Sequence, residues 1–324
     1  MIVSEYTTID RKDIKIVMDI CVLMSSYNGE KYINEQIDSI FLQDSVDVWL
    51  LIRDDGSTDN TVSIIKKRKE YGNRIFLIEG NNVGSTISFY EIMRYAKSYE
   101  KKFEYYSFAD QDDVWLSNKL CKAISVLEGF PSDSPNLYYS NLKVVDEKLN
   151  YLYDRFTPGY VTNTKKQIMA EICTLGCTCV FNRIALLEMC KLNNNELEYH
   201  DNWILWICSF LGKCYYDEQG YILYRQHGNN TSGTVKKGFS YLRYQIGRLV
   251  KINDMKPCYE VKAKLMLKYY SDRLVHEDKE ILNLLANYSK SYYLKIKLFF
   301  TNKISSGHII RDLSRKIRIL VNKA

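Results

Sequence analysis

Apolar and polar positions alternate in blocks along the first two thirds of the chain, and the period of each block predicts an element. Asp19 to Ser26 is a nearly unbroken apolar run of strand length, and Tyr27-Asn28-Gly29 is a turn. From Glu30 to Phe41, Ile33, Ile37, Ile40 and Phe41 fall on one helical face. Val46 to Arg53 predicts a second strand. It ends in Asp54-Asp55-Gly56-Ser57-Thr58-Asp59, a turn that runs into a helix with Val62, Ile64 and Ile65 inward. Ile75 to Ile78 predicts a third strand, Asn81-Asn82-Val83-Gly84 a turn, Ser85 to Tyr99 a helix, and Phe103 to Ala109 a fourth strand. Strands alternating with helices at this spacing predict an α/β fold with a parallel, doubly wound sheet. Ligands of such sheets gather at the carboxyl ends of the strands.

Beyond the fourth strand the pattern is less regular. Leu137 to Val145 predicts a strand or strand pair, and the aromatic stretch Tyr151 to Asn163 predicts a loop near an acceptor. Ile168 to Cys173 predicts a short helix, and Leu175 to Phe181 a small-residue turn into a buried strand. His200 and Asp201 open a strongly apolar helix that contains Trp203, Ile204, Trp206 and Phe210. From Thr234 onward the chain predicts helices, among them Ser291 to Phe300 and Ile309 to Val321.

Charge divides the 324 residues more sharply than hydrophobicity does. Residues 1–233 hold 25 Lys+Arg against 32 Asp+Glu, whereas residues 234–324 hold 20 against 7. This break predicts an N-terminal arm (1–18), a catalytic domain (19–233) and a basic helical C-terminal region (234–324). Basic amphipathic helices with aromatic residues suit an anionic membrane surface, a helical bundle or a homodimer interface. No nucleic-acid-binding module is recognisable, so basic charge alone does not imply nucleic acid. No apolar run reaches membrane-spanning length and no signal-peptide pattern opens the chain. Nine scattered cysteines lack a second pair at zinc spacing and predict free thiols in a reducing cytoplasm, with peripheral attachment to the inner membrane face as an option.

The chemistry concentrates in Asp110-Gln111-Asp112-Asp113, three carboxylates within four residues at a strand end. Like charges this close need a cation or a run of donors, and hard oxygen ligands suit Mg²⁺ or Mn²⁺. The plainer alternative is an acidic loop capping the next helix. Ser25, Tyr27, Asp54, Asp55 and Asn82 lie at the other strand ends, where they can stack on or bond to a nucleotide; each is also an ordinary turn or packing residue. Asp201 can act as a base or as a helix cap. No dinucleotide fingerprint and no Walker loop is present.

The segments Ser25-Ser26-Tyr27-Asn28-Gly29, Arg53 to Thr61, Asn81-Asn82-Val83-Gly84 and Phe108 to Trp115, taken in order, resemble family 2 glycosyltransferases of the GT-A fold. His200-Asp201-Asn202-Trp203 and Tyr224-Arg225-Gln226-His227-Gly228-Asn229-Asn230 resemble the rhamnosyltransferase-like branch of that family. The resemblance spans residues 19 to 233. It implies a GT-A fold, a dTDP- or UDP-linked sugar donor, Mg²⁺ or Mn²⁺, a glycan or lipid-linked acceptor and inversion at the anomeric carbon. By the same resemblance Tyr27 packs on the base, and one of Asp54 and Asp55 reads it. Asp110 lies near ribose and metal, Asp112 holds the metal, and His227 contacts metal or diphosphate. Asp113, Trp115, His200 and Trp203 support the site or meet the acceptor, and Asp201 is the general base. His200 stands where many members carry Glu. The Gln-x-x-Arg-Trp signature of processive synthases is absent, which implies addition of single sugars. Two other classes stay open. A nucleotidyltransferase usually has a Gly-rich basic loop after its first strand, which Met24 to Gly29 lacks. A silent binding protein would have lost an acid, and none is missing.

Overall fold

The computed structural model describes residues 18–227 and 258–322. The proposed arm before Met18 and the boundary near Ser232-Gly233 lie outside the described residues. Nine strands form one sheet: β1 (Met18–Ser26), β2 (Val46–Asp54), β3 (Ile75–Glu79), β4 (Tyr105–Ala109), β5 (Val114–Trp115), β6 (Asn136–Val145), β7 (Tyr151–Asp154), β8 (Val180–Asn182) and β9 (Lys213–Arg225). Their order is β3-β2-β1-β4-β8-β6-β9-β5, with β7 on β6. The four strands β3, β2, β1 and β4 are mutually parallel. β8 runs against β4 and β6, β7 against β6, and β5 against β9, whereas β6 and β9 are parallel. The sheet is therefore mostly parallel, as the α/β reading expects.

The unbroken apolar run of β1 follows from its central place. Cys21 and Leu23 enter the core on one face of the sheet, while Ile20, Val22 and Met24 enter the core on the other. A strand buried on both faces reads as continuously hydrophobic. Helices α1 (Ile33–Phe41), α2 (Thr61–Lys66) and α4 (Lys119–Leu127) cover the second face. Helices α3 (Ser85–Ser98), α6 (Arg183–Met189) and α7 (His200–Leu211) cover the first. The short α5 (Lys165–Ile168) begins at Thr164, whose hydroxyl accepts the Gln167 N–H, so it lies upstream of the predicted Ile168 to Cys173.

Four further helices follow: α8 (Cys258–Tyr270), α9 (His276–Asn287), α10 (Tyr292–Phe300) and α11 (Ile309–Leu320). Tyr259, Met266, Tyr270, Leu282 and Leu298 belong to the same buried cluster as Trp203, Trp206 and Phe108. The first of them, α8, lies on α7: Tyr270 tilts against Trp203 and the Lys262 ammonium sits 5.5 Å from the Trp206 ring centroid, which accounts for part of the apolar character of α7.

Candidate active site

Four loops meet at the carboxyl ends of β1 to β4, joined by side chains that reach across to neighbouring backbones. Asp54 is buried; its carboxylate accepts the Ser57 N–H (2.8 Å), the Ser57 hydroxyl (2.6 Å) and the Ser26 hydroxyl (3.0 Å). Asp55, also buried, accepts the N–H groups of Val83 and Gly84 (both 2.9 Å) and pairs with Arg53 at 2.5 Å. Arg53 further donates to Glu91, Ser88 and the Asn81 carbonyl, and Ser88 shares a 2.6 Å hydroxyl contact with Ser25. Asp54 and Asp55 therefore tie together the loops at this sheet edge. Tyr27 is 45 % exposed and Asn82 is exposed at the same rim.

The first and fourth loops are clamped together. The Gln111 side chain accepts the Tyr27 N–H (2.8 Å) and donates to the Tyr27 carbonyl (2.9 Å). Gly29 leaves the room for this amide, since a Cβ there would lie 2.3 Å from Gln111 Oε1. Asn28 turns the chain at φ 49°, in the left-handed region that Asn tolerates.

The acidic stretch behaves differently. Burial, then the charges of Asp112 and Asp201, raise the Asp110 carboxyl to about 7. Asp113 is buried and held well above the usual carboxylate range by desolvation and by its two acidic neighbours. One of its oxygens accepts the Arg225 N–H at 3.3 Å; Oδ2 is buried without a partner. Ligand atoms of Asp110, Asp113 and Cys177 lie within 4.8 Å of one another. Asp112 turns outward to His227, 2.8 Å from Nε2, and His227 stacks on Tyr32. An under-satisfied acidic cluster flanked by an imidazole fits a divalent cation. Behind it, Trp115 is buried in β5, with the Lys119 ammonium 3.5 Å from its ring centroid and 3.0 Å from the Ser107 hydroxyl. Desolvation lowers the pKa of that lysine to about 7.

Asp201 lies on the first turn of α7. Tyr199 is the N-cap of that helix, and Asp201 Oδ1 accepts the Asn202 N–H at 2.7 Å. Its charge helps to raise the Asp110 carboxyl, so the two carboxylates are near neighbours. His200 stacks on Phe89 at 3.9 Å and meets Phe108 edge-on at 4.7 Å, and burial lowers its pKa. Gly176 lies flat against it; a Cβ there would sit 2.5 Å from Nε2. Trp203 is fully buried and leans on Tyr270, so it supports α7 and does not meet an acceptor. Arg53, Gln111, Lys119, Cys177 and Arg225 were not singled out as site residues, because their partners lie far away in sequence.

Residues 21–189 match the family described as Glycosyl transferase family 2. The chain belongs to that family. It is 32% identical over 224 residues to the dTDP-rhamnosyl transferase RfbG of Shigella flexneri, covering 65% of this chain and 73% of that one. It is 28% identical over 170 residues to UDP-Glc:alpha-D-GlcNAc-diphosphoundecaprenol beta-1,3-glucosyltransferase WfgD of Escherichia coli, covering 52% and 61%. The fold is similar to that of S. aureus TarS 1-349 in complex with UDP-GlcNAc, with a TM-score of 0.53 at 15% identity, over 93% of this chain and 90% of that one. The protein is a glycosyltransferase of GT-A-like architecture that uses a nucleotide-sugar donor.

Proposed function

We propose that this glycosyltransferase moves a single hexose or deoxyhexose, rhamnose foremost, from a dTDP- or UDP-linked donor to a hydroxyl of a lipid-linked glycan, with inversion. The observation that carries this reading is a cluster of carboxylates at one sheet edge: Asp110 beside Asp112, which contacts His227, with the Asp201 charge close enough to raise the Asp110 carboxyl. The relatives that act on dTDP-rhamnose and on a diphosphoundecaprenol acceptor support the choice of donor and acceptor.

In this reading Tyr27, exposed at the rim, offers its ring to the base, and the loops held by Asp54 and Asp55 enclose the ribose. Asp110, Asp112 and His227 would hold Mg²⁺ or Mn²⁺, and the cation would supply positive charge against the leaving diphosphate. Asp201 accepts the proton of the acceptor hydroxyl as its oxygen bonds to the anomeric carbon. The bond from that carbon to the diphosphate oxygen breaks on the opposite face, so the centre inverts. His200 stays neutral through burial and adds no charge beside the base. The enzyme works at the cytoplasmic membrane surface, where a lipid-linked acceptor is met.

A thermal-shift panel of dTDP, UDP, GDP and ADP, each with and without Mn²⁺, tests the reading. The expected result is stabilisation by dTDP or UDP that grows with Mn²⁺ and loses this increment in Asp112→Asn. Equal shifts with and without Mn²⁺ for every nucleotide would overturn the metal assignment, and no shift with any of them would overturn the donor.

A further inference from the structure

The outer faces of α10 and α11 carry apolar side chains that are exposed among the described residues. On α10, Tyr292, Tyr293, Ile296 and Phe300 are exposed, Tyr292 by 81% and Phe300 by 75%. Their spacing puts them on one side of the helix. On α11, Ile309, Leu313 and Leu320 form a second stripe, with Ile309 exposed by 87%. Lys316 lies over the Phe299 ring at 5.1 Å to the centroid. Each of these two residues sits one helical step from the edge of its own stripe, so the stripes meet along that seam. Between Lys290 and Asn322 the chain carries eight Lys or Arg and a single acid, Asp312; Lys295 and Arg315 are buried, Arg311 pairs with Glu171 and Lys303 with Glu277, which leaves Lys290 and Lys297 exposed with Lys316 and Arg318 half-buried.

The geometry points to this α10–α11 face as the docking surface for an anionic lipid bilayer; the inference rests on the lipid-linked acceptor proposed above. A second copy of the chain fits poorly. An isologous contact would set the same net-positive patch against itself, with no excess of acid on either copy to offset it. Aromatic and aliphatic groups among cations of one sign match the boundary between headgroups and acyl chains of an anionic membrane. The face is also tied to the active site. His308 stacks on Tyr160 at 4.4 Å, the Ser305 N–H donates to the Lys166 carbonyl, and Arg311 pairs with Glu171. Three residues beyond Glu171, the Thr174 hydroxyl donates to the Asp201 carbonyl at 3.1 Å. A surface that grips the bilayer thereby holds the proposed base at a set height above it.

Co-sedimentation of the full chain with phosphatidylcholine vesicles, and with equimolar phosphatidylcholine and phosphatidylglycerol vesicles, tests this. Binding to the anionic vesicles alone is expected, weakening with salt. Phe300→Ser and Leu313→Ser should each lower partitioning by roughly tenfold, as expected for one large side chain withdrawn from an apolar phase. Lys297→Glu, a surface change that leaves the fold intact, should lower it as well. Donor-nucleotide thermal shifts should be unchanged in all three variants, so failure of the docking surface and failure of the proposed transfer are read separately. Equal binding to both vesicle types, no binding to either, or a lipid-free dimer that Phe300→Ser dissociates would overturn the proposal.

Discussion

The carboxylates at the end of β2 and those at the end of β4 occupy the same sheet edge, yet they are held in opposite ways. Asp54 and Asp55 each accept three hydrogen bonds from neighbouring protein groups. Asp110 and Asp113 are raised in pKa by burial and by the charges of neighbouring carboxylates, and Asp113 keeps an unpartnered oxygen. Buried polar groups are normally satisfied, and an exception asks for a reason. In the function proposed above the reason is a cation: the first pair organises the loops, and the second set is left with capacity for a charge the protein does not itself provide.

Three measurements would break or sharpen this contrast. The largest effect is expected for Asp201→Asn. Loss of the proton acceptor should cut transfer by about 10²–10⁴-fold while donor affinity stays nearly constant. Steady-state kinetics with a nucleotide-binding control checks it, and near-normal turnover would reduce Asp201 to a first-turn helix residue. Next, the two acidic sets should differ in stability. Asp55→Ala removes one of the two carboxylates on buried Arg53 and the acceptor of the Val83 and Gly84 N–H groups, and should cost about 3 kcal/mol in denaturant unfolding. Asp113→Asn should leave the metal-free protein as stable or more so, because it relieves repulsion. If both variants lose stability equally, the contrast is wrong.

The smallest effect is a pH dependence. The Asp110 pKa is raised to about 7, so this group favours the metal-free fold most at low pH and that contribution is lost as pH rises to 7. A bound cation needs the ionised form. Mn²⁺ affinity, followed by calorimetry, should therefore weaken about tenfold per pH unit below 7 and level off above it. A flat profile from pH 5 to 8 would remove Asp110 from the metal set.

The donor half of the molecule was legible because its signals are local. Each apolar run is followed within a few residues by its own polar loop, and β1 to β4 appear where the pattern predicts. Asp110 and Asp112 could be found because the carboxylates are adjacent in the chain. The partners that make them a site were less visible. Arg225 reaches Asp113 across 112 residues, and Gln111 reaches Tyr27 across 84. β9 was not predicted, since Asp217 to Gly220 interrupts its alternation and its pairing with β6 shifts register there. The misplaced α5 had a usable signal in the Thr164-x-x-Gln167 capping pattern. Cover by α8 could be inferred only from the apolar excess of α7, which looks the same for any buried helix.

The Gln111 clamp on Tyr27 makes two binding events share one piece of backbone. The ring offered to the nucleotide base and the loop offered to the cation are adjoining ends of a single rigid unit. Ordering one end therefore orders the other. By thermodynamic reciprocity, the factor by which the nucleotide tightens Mn²⁺ must equal the factor by which Mn²⁺ tightens the nucleotide. In the proposed function, an enzyme built this way responds most strongly when both arrive.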